Sequence, residues 1–335
     1  MILSARKHYF DVPTPSCHAG TVARLNGKTF LAWFGGTRES AADVDIYYTF
    51  ETADGFAPPT RVSAGNAAHW NPVLFPRGDG LDLFFKFGAT IPAWRTLRVR
   101  IGADGGLLGD PVELVPGDVG GRGPVKNKCL RLKSGRVLAP CSLERKNPDR
   151  WGPFVDISDD GGETFQRLAP IPLYRRGEGE PANDARPWCV VEHAGAIQPT
   201  LWQSGDGTVH ALMRSSEGFI LRSDSPDDGE TWSPAWSTGL PNNNSGIDLV
   251  RLADGRILLC LNPVSGNWAA RSPLALYVSQ DDGASFTELM KLELQPGEYS
   301  YPSLVAEGGK VFLIYTWNRR KMAYWELELE PPAEQ

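Results

Sequence analysis

The 335-residue sequence predicts an all-β fold, a six-bladed β-propeller, from three observations. A hairpin pattern occurs six times, a second turn motif recurs in register with it, and polar residues precede the hairpins at similar positions. Repeats of this kind form blades around a central axis, because a single repeat cannot bury its own apolar faces. We therefore expect one domain over residues 1–335.

The hairpins are the first of these observations. Each repeat has a short apolar run, a tight turn containing Gly, and a second apolar run, as in TVARLNGKTFLAWF and LVRLADGRILLCL. Such turns favour hairpins because they need residues that accept a positive φ. The turn glycines are Gly27, Gly80, Gly135, Gly207, Gly255 and Gly309. The longest interval, 72 residues between the third and fourth, predicts a loop insertion near residues 174–196.

The second motif, S-x-D-x-G-x-[TS]-[FW], is an Asp-box and begins at Ser158, Ser225 and Ser279. Its Asp is suited to cap a tight turn by accepting backbone N–H groups, and its aromatic residue is suited to pack between sheets. We interpret the boxes as structural. The sixth repeat has no box, so we expect the segment around Lys7 to Val12 to supply its outer strand and close the ring.

Composition excludes several classes of partner. The formal net charge is −6 with acids and bases mixed along the chain, which argues against nucleic acid or a membrane surface. The five Cys form no Cys-x-x-Cys pair, and no metal or cofactor is expected. The segment MILSARKHYFDVPTPS lacks the apolar run of a signal peptide, so we expect a cytoplasmic protein. The oligomeric state is not indicated.

Polar residues open the first strand of most repeats, the strand that lies nearest the axis of a propeller. Counting back eight or nine positions from each turn glycine gives His18, Asn71, Asn127, Gln198, Gly246 and Tyr301. These groups could bond to one another and plug the channel, or could form a binding site. The site is favoured because the same rim carries further long polar or aromatic side chains, namely His69, Lys126, Lys128, Asn244, Tyr299, Trp317 and Arg319.

Three arginines extend this prediction to the type of ligand. Arg38 and Arg214 end strands that follow turns, and Arg271 enters the strand RSPLALYVS. A guanidinium group matches a carboxylate in two places, so several arginines facing one cavity predict an acidic ligand. With 11 Trp in the chain, some rings could bind sugar faces, but we expect most of them to pack between blades.

Longer phrases, including AWFGGTRESAADVDI, GPVKNK and GEYSYPSL, resemble the sialidase (neuraminidase) superfamily in its BNR/Asp-box branch, over nearly the whole chain. Sialidases bind a sugar carboxylate with three arginines, use a Tyr activated by a Glu as nucleophile, and use an Asp as acid and base. The matching positions implied by this resemblance are Arg214 and Arg271 for the second and third arginines, Arg38 for an additional one, Tyr301 or its rival Tyr299 for the nucleophile, and Asp43 for the acid and base.

Two positions depart from the sialidase pattern. His18 stands where the family carries its first arginine, and Gln198 stands where it carries the Glu that activates Tyr. A Gln amide cannot accept the phenol proton. Three functions therefore remain open: a sialidase-type exo-glycosidase for a terminal acidic sugar, a uronic-acid lyase acting by β-elimination, and a non-catalytic glycan-binding propeller. A lyase would use Arg, Asn and Gln to neutralise the carboxylate and His18, His69, Tyr299 or Tyr301 as base and acid.

The Gln198 departure generates a prediction with opposite signs for two mechanisms. We expect Gln198→Glu to lower turnover, because a second anion would lie beside the bound carboxylate. In a sialidase of the usual kind the same change would raise the rate by restoring a base for Tyr301. Initial rates of both proteins on sialosides decide between these outcomes, and a faster variant would contradict our expectation.

Overall fold

The computed structural model describes residues 2–146, 148–175 and 189–330, and its described residues are almost entirely β-strand. Six sheets of four or five strands and one two-stranded sheet are formed within these ranges. The six larger sheets follow one another in sequence and are the blades of a propeller, as predicted. No helix in the described ranges is both long and apolar enough to span a membrane.

Each blade is built from neighbouring strands in chain order, and the strands are numbered along the chain. The first strand is β1 (Ile2–Asp11). Blade one contains β2 (Ser16–Leu25), β3 (Lys28–Gly36), β4 (Asp45–Thr52), β5 (Gly55–Phe56) and β6 (Thr60–Val62). Blade two contains β7 (His69–Arg77), β8 (Gly80–Phe87), β9 (Arg95–Gly102) and β10 (Leu107–Glu113), with a short 3₁₀ helix at Ile91–Ala93.

The second half of the chain continues this pattern. Blade three contains β11 (Leu130–Arg131), β12 (Val137–Arg145), β13 (Arg150–Ser158) and β14 (Gln166–Pro170). Two short parallel strands, β15 (Tyr174–Arg175) and β16 (Val190–Val191), follow. Blade four contains β17 (Ala196–Gln203), β18 (Val209–Ser215), β19 (Phe219–Ser225) and β20 (Trp236–Pro241). Blade five contains β21 (Asp248–Arg251), β22 (Ile257–Leu261), β23 (Leu274–Ser279) and β24 (Thr287–Glu293). Blade six contains β25 (Tyr299–Glu307), β26 (Lys310–Trp317) and β27 (Lys321–Leu329).

The ring closes through β1, which pairs antiparallel with β27 and becomes the outer strand of blade six. This confirms the expectation for the segment around Lys7 to Val12 and extends the strand back to Ile2. The predicted insertion at 174–196 falls mostly on residues 176–188, which lie outside the described ranges. Its described flanks form β15 and β16.

Apolar side chains pack between blades rather than around one centre. The described core divides into six clusters, and each cluster joins two neighbouring blades, so six interfaces complete the circle. The cluster between blades six and one, for example, brings Trp33 against Tyr324 and Met322. Because no blade has a core of its own, each depends on both neighbours for its buried apolar surface.

The Asp-boxes cap turns, as predicted. In the box of blade five, the carboxylate of Asp281 accepts the N–H of Ser285 at 2.9 Å and its hydroxyl at 2.5 Å. These hydrogen bonds lower the pKa of Asp281 to about 2, so the cap stays ionised at neutral pH. The boxes at Asp160 and Asp227 make the same contacts with Thr164 and Thr231.

The glycines used for counting do not occupy the same position in each hairpin, and this corrects the predicted register. Asn26 and Gly27 form a two-residue turn with φ of +51° and +75°, whereas the corresponding loop of blade two is Gly78 and Asp79. Gly80 is therefore already in β8, one position later than Gly27 in its own hairpin. Counting back from these glycines therefore compared residues that are not equivalent. The residue of blade one at the position equivalent to Asn71 is Ala19, not His18.

A repeated hydrogen bond joins the first strands around the axis. In four blades, a side chain of the first strand accepts the backbone N–H of the next blade's first strand at 2.8–3.4 Å. The acceptors are Thr21, Thr200, Asp248 and Ser303, and the donors are Leu74, Leu249, Leu304 and Val22 respectively. These bonds satisfy donors that the innermost strand, as a sheet edge, has no further strand to pair with.

Asp248 links four blades. Its fully buried carboxylate accepts the N–H of Leu304 and, at 2.7 Å, the hydroxyl of Thr200. The ammonium of Lys128 donates to both carboxylate oxygens, at 2.9 Å to Oδ1 and 2.8 Å to Oδ2. Lys128 also donates to the carbonyl of Leu249. Lys128 was expected at the functional rim, but its ammonium is committed to this network.

Replacing Asp248 tests the importance of this network. Asp248→Ala should lower the free energy of unfolding by about 3 kcal/mol, because it leaves a partly buried ammonium and a buried N–H without partners. Urea denaturation measures the change, with Asp79→Ala, whose side chain is fully exposed, as the control. Equal midpoints for the two variants would contradict a central structural role for Asp248.

Candidate functional site

A ring of residues in the left-handed backbone region marks one end of the axis. The first strands of blades one, two, four and six each contain a β-bulge, and the bulged residues Ala19, Asn71, Gln198 and Tyr301 have φ between +44° and +56°. In blade three, Lys126 has a φ of +76°. It lies six residues before its hairpin turn, as Gln198 does in blade four. Positive φ at residues other than Gly is strained, and bulges that redirect a side chain are frequent at functional sites.

Blade five has Gly246 at the corresponding position, six residues before its hairpin, but without a positive φ. A Cβ added to Gly246 would lie 3.1 Å from Cε of Lys126 and 3.3 Å from Cγ of Tyr301. The missing side chain therefore leaves just enough room for these two residues to meet at the centre.

Lys126 and Asn127 close the axis beneath the ring. The ammonium of Lys126 donates to Asn127 at 2.8 Å and to the carbonyls of Ile247 and Pro302 in blades five and six. Asn127 donates to the carbonyls of Gln198 and Pro199 in blade four. Both were predicted to bind substrate, but their donors are used within the protein, and their position corresponds to the plug that was the alternative interpretation.

Arg214 holds Tyr301 in place. Its side chain is 2% exposed, and it donates to the phenol oxygen of Tyr301 at 2.7 Å and to Oε1 of Gln198 at 3.3 Å. Its remaining donors contact the side chain and carbonyl of Asn244. All five N–H groups of Arg214 are thus occupied, so the sequence-based expectation that it grips a substrate carboxylate is not supported.

Arg271 and Arg319 form a basic pair, and the carboxylate of Glu298 lies between them. The carboxylate of Glu298 accepts from Arg271 at 2.7 Å and from Arg319 at 2.8 Å, and Arg319 also pairs with Glu39. Both arginine side chains are partly exposed, at 16% and 28%. Arg319 reaches this place from the turn after β26, and its carbonyl accepts the N–H of Cys17, the residue before His18.

His18 lies against Tyr301, with ring centroids 4.3 Å apart. Burial lowers the pKa of His18 well below its usual value, and the positive charges of Arg319, Arg271, Arg214 and Lys126 lower it further. His18 is consequently neutral at physiological pH. Its Nδ1 is buried without a hydrogen-bond partner among the described residues.

Five other predicted residues do not join this group. His69 is fully buried, and its nitrogens contact the carbonyl of Val44 and the N–H of Ala64, so it is structural. Tyr299 packs against Trp317 in the core between blades five and six. Arg38 and Asp43 lie in the exposed loop after β3.

Asp43 accepts the hydroxyl and N–H of Thr37 within that loop. These hydrogen bonds lower the pKa of Asp43. A carboxyl group that is held ionised in this way is poorly suited to donate a proton, which weakens the role that the family resemblance implied for it.

Sequence reasoning missed the residues at the mouth of the site. Trp268 is 63% exposed and Trp151 half-buried, their rings are 6.3 Å apart, and each lies within 6 Å of the Arg214 guanidinium. Glu144 pairs with Trp151 across β12 and β13. Glu298 could have been found from the sequence, because it lies three residues before Tyr301 in GEYSYPSL. Trp268, Trp151 and Glu144 are brought to the axis only by tertiary structure.

A second polar cluster has distances typical of a hydrolytic triad but lies between blades four and five. Ser204 Oγ is 2.6 Å from Nε2 of His210, whose Nδ1 is 2.6 Å from Asp224. However, the Ser204 hydroxyl donates to Asp282 in the neighbouring Asp-box and is 3% exposed. Its proton is therefore directed away from His210, and the cluster connects two blades.

The buried Lys126 predicts a pH dependence of stability. Burial lowers its pKa from 10.5 to about 7, so the folded state binds this proton more weakly than the unfolded state does. The destabilisation is complete below pH 7 and declines as the pH rises toward 10.5. Relative to Lys126→Met, the wild-type protein should gain roughly 2–3 kcal/mol between pH 7 and 9. Urea denaturation at both pH values measures this, and parallel changes in the two proteins would contradict it.

Comparisons with known proteins agree with the fold. A family model described as the BNR repeat-like domain matches residues 27–313. A protein of unknown function from Dyadobacter fermentans has a similar structure, with a TM-score of 0.73, 16% identity, and coverage of 98% of this chain and 100% of that one. A search of curated proteins finds no match.

Two sialidases are also similar in structure. Trypanosoma rangeli sialidase has a TM-score of 0.72 at 13% identity, covering 97% of this chain and 60% of its own. The NanB sialidase of Streptococcus pneumoniae has a TM-score of 0.66 at 13% identity, covering 96% and 70%. This chain thus spans about 60% of the length of the trypanosomal enzyme. Identities this low establish a shared fold alone. The family match, which covers residues 27–313, shows that the chain belongs to the BNR repeat-like family.

Proposed function

We propose that this protein is a sialidase-like exo-glycosidase that acts on a terminal acidic sugar. The observation that carries the proposal is the convergence of three arginines, Arg214, Arg271 and Arg319 of blades four to six, on neutral His18, which contacts Tyr301. Concentrated positive charge around a nucleophilic side chain favours an anionic substrate.

The substrate carboxylate is assigned to Arg271 and Arg319. Each has N–H groups beyond those that contact Glu298 and Glu39, and each side chain is partly exposed. Glu298 holds the two guanidinium groups in a fixed orientation, which reduces the entropy lost on binding. Arg319 thereby takes the part of the first sialidase arginine, whose place in the sequence is held by His18, while Arg214 serves to orient Tyr301.

Tyr301 is the nucleophile in this proposal. Arg214 donates to its oxygen, and the nearby guanidinium groups of Arg214 and Arg271, whose centres lie 5.6 and 5.8 Å from its ring, favour negative charge developing there. His18 accepts the phenol proton in place of the Glu that Gln198 replaces. A bound substrate carboxylate would offset the surrounding positive charge and so make His18 more basic when substrate is present.

β-Elimination of a uronic acid is the second candidate. It is favoured by one observation: a neutral His lies beside Tyr301, and no carboxylate of the described residues hydrogen-bonds to that Tyr. A His and Tyr pair can remove the α-proton and protonate the leaving oxygen, with the arginines neutralising the carboxylate.

Product analysis separates these functions. The protein is incubated with a panel of sialosides and uronic-acid oligosaccharides. Release of the intact acidic sugar supports hydrolysis, and ultraviolet absorbance from an unsaturated sugar supports elimination. Binding without any product would leave only the glycan-binding function and would overturn the proposed enzyme.

Arg319→Ala tests the carboxylate assignment. The variant should lower kcat/KM for the acidic substrate by about 10²-fold, within the range for removing one partner of a desolvated charge pair. Steady-state kinetics measures the loss, and Arg320→Ala, an exposed neighbour, is the matched control. Thermal melting of both variants checks that the loss of ion pairs with Glu298 and Glu39 has not unfolded the protein. Unchanged kinetics in folded Arg319→Ala would refute the assignment.

A further inference from the structure

We propose that Glu144 is the catalytic acid of the site, the residue that protonates the oxygen through which the acidic sugar leaves the rest of the glycan. This inference rests on the proposed function, and neither the family resemblance nor the sequence motifs assign this residue a role.

The position of Glu144 in blade three directs it toward the site. It lies near the end of β12, two residues after Ser142, and side chains two apart in a strand share a face. The hydroxyl of Ser142 accepts the N–H of Gln198 at 2.7 Å, so this face is turned toward the ring in blade four. Glu144 therefore lies on the same face, nearer the mouth.

Its cross-strand neighbour supports this placement. Glu144 is directly opposite Trp151 in the antiparallel pair of β12 and β13, where facing side chains lie on the same side of the sheet. The Trp151 ring is 5.9 Å from the guanidinium of Arg214, which in turn hydrogen-bonds to the oxygen of Tyr301. Trp151 and Tyr301 thus both lie beside Arg214, and Glu144 is the cross-strand neighbour of Trp151.

The chemical state of Glu144 suits a proton donor. It is half-buried and makes no hydrogen bond or ion pair with any residue in the described ranges. Burial raises the pKa of Glu144, and the positive charges of Arg214 and Lys146 only partly counter this. Asp43 has the opposite character, because Thr37 lowers its pKa. A carboxyl group needs a raised pKa to retain its proton near neutral pH.

The proposed reaction has two stages, with a glycosyl-tyrosine between them. The oxygen of Tyr301 attacks the anomeric carbon while His18 takes the phenol proton. The bond from that carbon to the glycosidic oxygen breaks, and the proton of Glu144 passes to this oxygen, so the rest of the glycan leaves as an alcohol. Glu144, now a carboxylate, then removes a proton from the water that attacks the glycosyl-tyrosine. Tyr301 leaves as the phenolate and recovers its proton from His18.

The test compares leaving groups in the full-length protein. Glu144→Gln should reduce kcat/KM on lactose-linked sialosides or glucuronides by about 10²–10⁴-fold, because an alcohol leaves poorly without a proton. The 4-nitrophenyl glycosides of the same sugars should be affected far less, because nitrophenolate leaves without assistance. The alkaline fall of the wild-type pH profile should also disappear in this variant.

Two further variants make the outcome specific. Glu288→Gln, an exposed glutamate on the outer strand of blade five, should behave like the wild type on both substrates. Asp43→Asn should show no dependence on the leaving group. Equal losses of Glu144→Gln on both substrates, or a leaving-group effect at Asp43 instead, would overturn the assignment of Glu144. A wild-type protein that turns over neither sugar with either leaving group would instead overturn the proposed function itself.

Discussion

The innermost strand of every blade is a sheet edge that faces the axis, and its N–H groups have no further strand to pair with. In four blades a side chain from the preceding blade accepts the exposed N–H, and the buried Asp248 does this while also neutralising Lys128. A ring of polar residues at the axis is therefore a structural requirement of this fold before it is a functional one. The candidate site consists of those polar residues of the ring that do not bond to the backbone of a neighbouring first strand.

These two uses of polar residues occupy successive layers. The layer around Lys126, Asn127 and Asp248 is saturated by carbonyls and neighbouring side chains. The layer above it contains Tyr301 and His18, whose Nδ1 has no hydrogen-bond partner in the described part of the chain. β-Bulges separate the layers, because each bulge turns one side chain out of the strand's alternation. A plug and a candidate binding site can therefore coexist on one axis only a few residues apart.

The features that the sequence predicted well are those that depend on residues close together in the chain. Gly-containing turns, Asp-boxes and apolar strands identify six blades without reference to distant residues, and the missing sixth box indicates the closing strand. Tyr301, Gln198 and Arg214 were found because they lie near the ends of the strands that such turns join. His69 has the residue type and position of a site residue, but only tertiary structure reveals that both of its nitrogens contact the backbone. Glu144 and Trp268 lie at strand ends and in loops, whose distance from the axis no local pattern encodes.

The closure of the ring by β1 has a further consequence for how the site is assembled. His18 belongs to blade one and Tyr301 to blade six, so their contact crosses the seam where the early and late parts of the chain meet. The backbone bond from Cys17 to Arg319 and the hydrogen bond from Ala19 to Thr316 cross the same seam. During synthesis these partners emerge from the ribosome almost a whole chain apart. The candidate site is therefore absent from every nascent intermediate and is completed only after the last blade has docked.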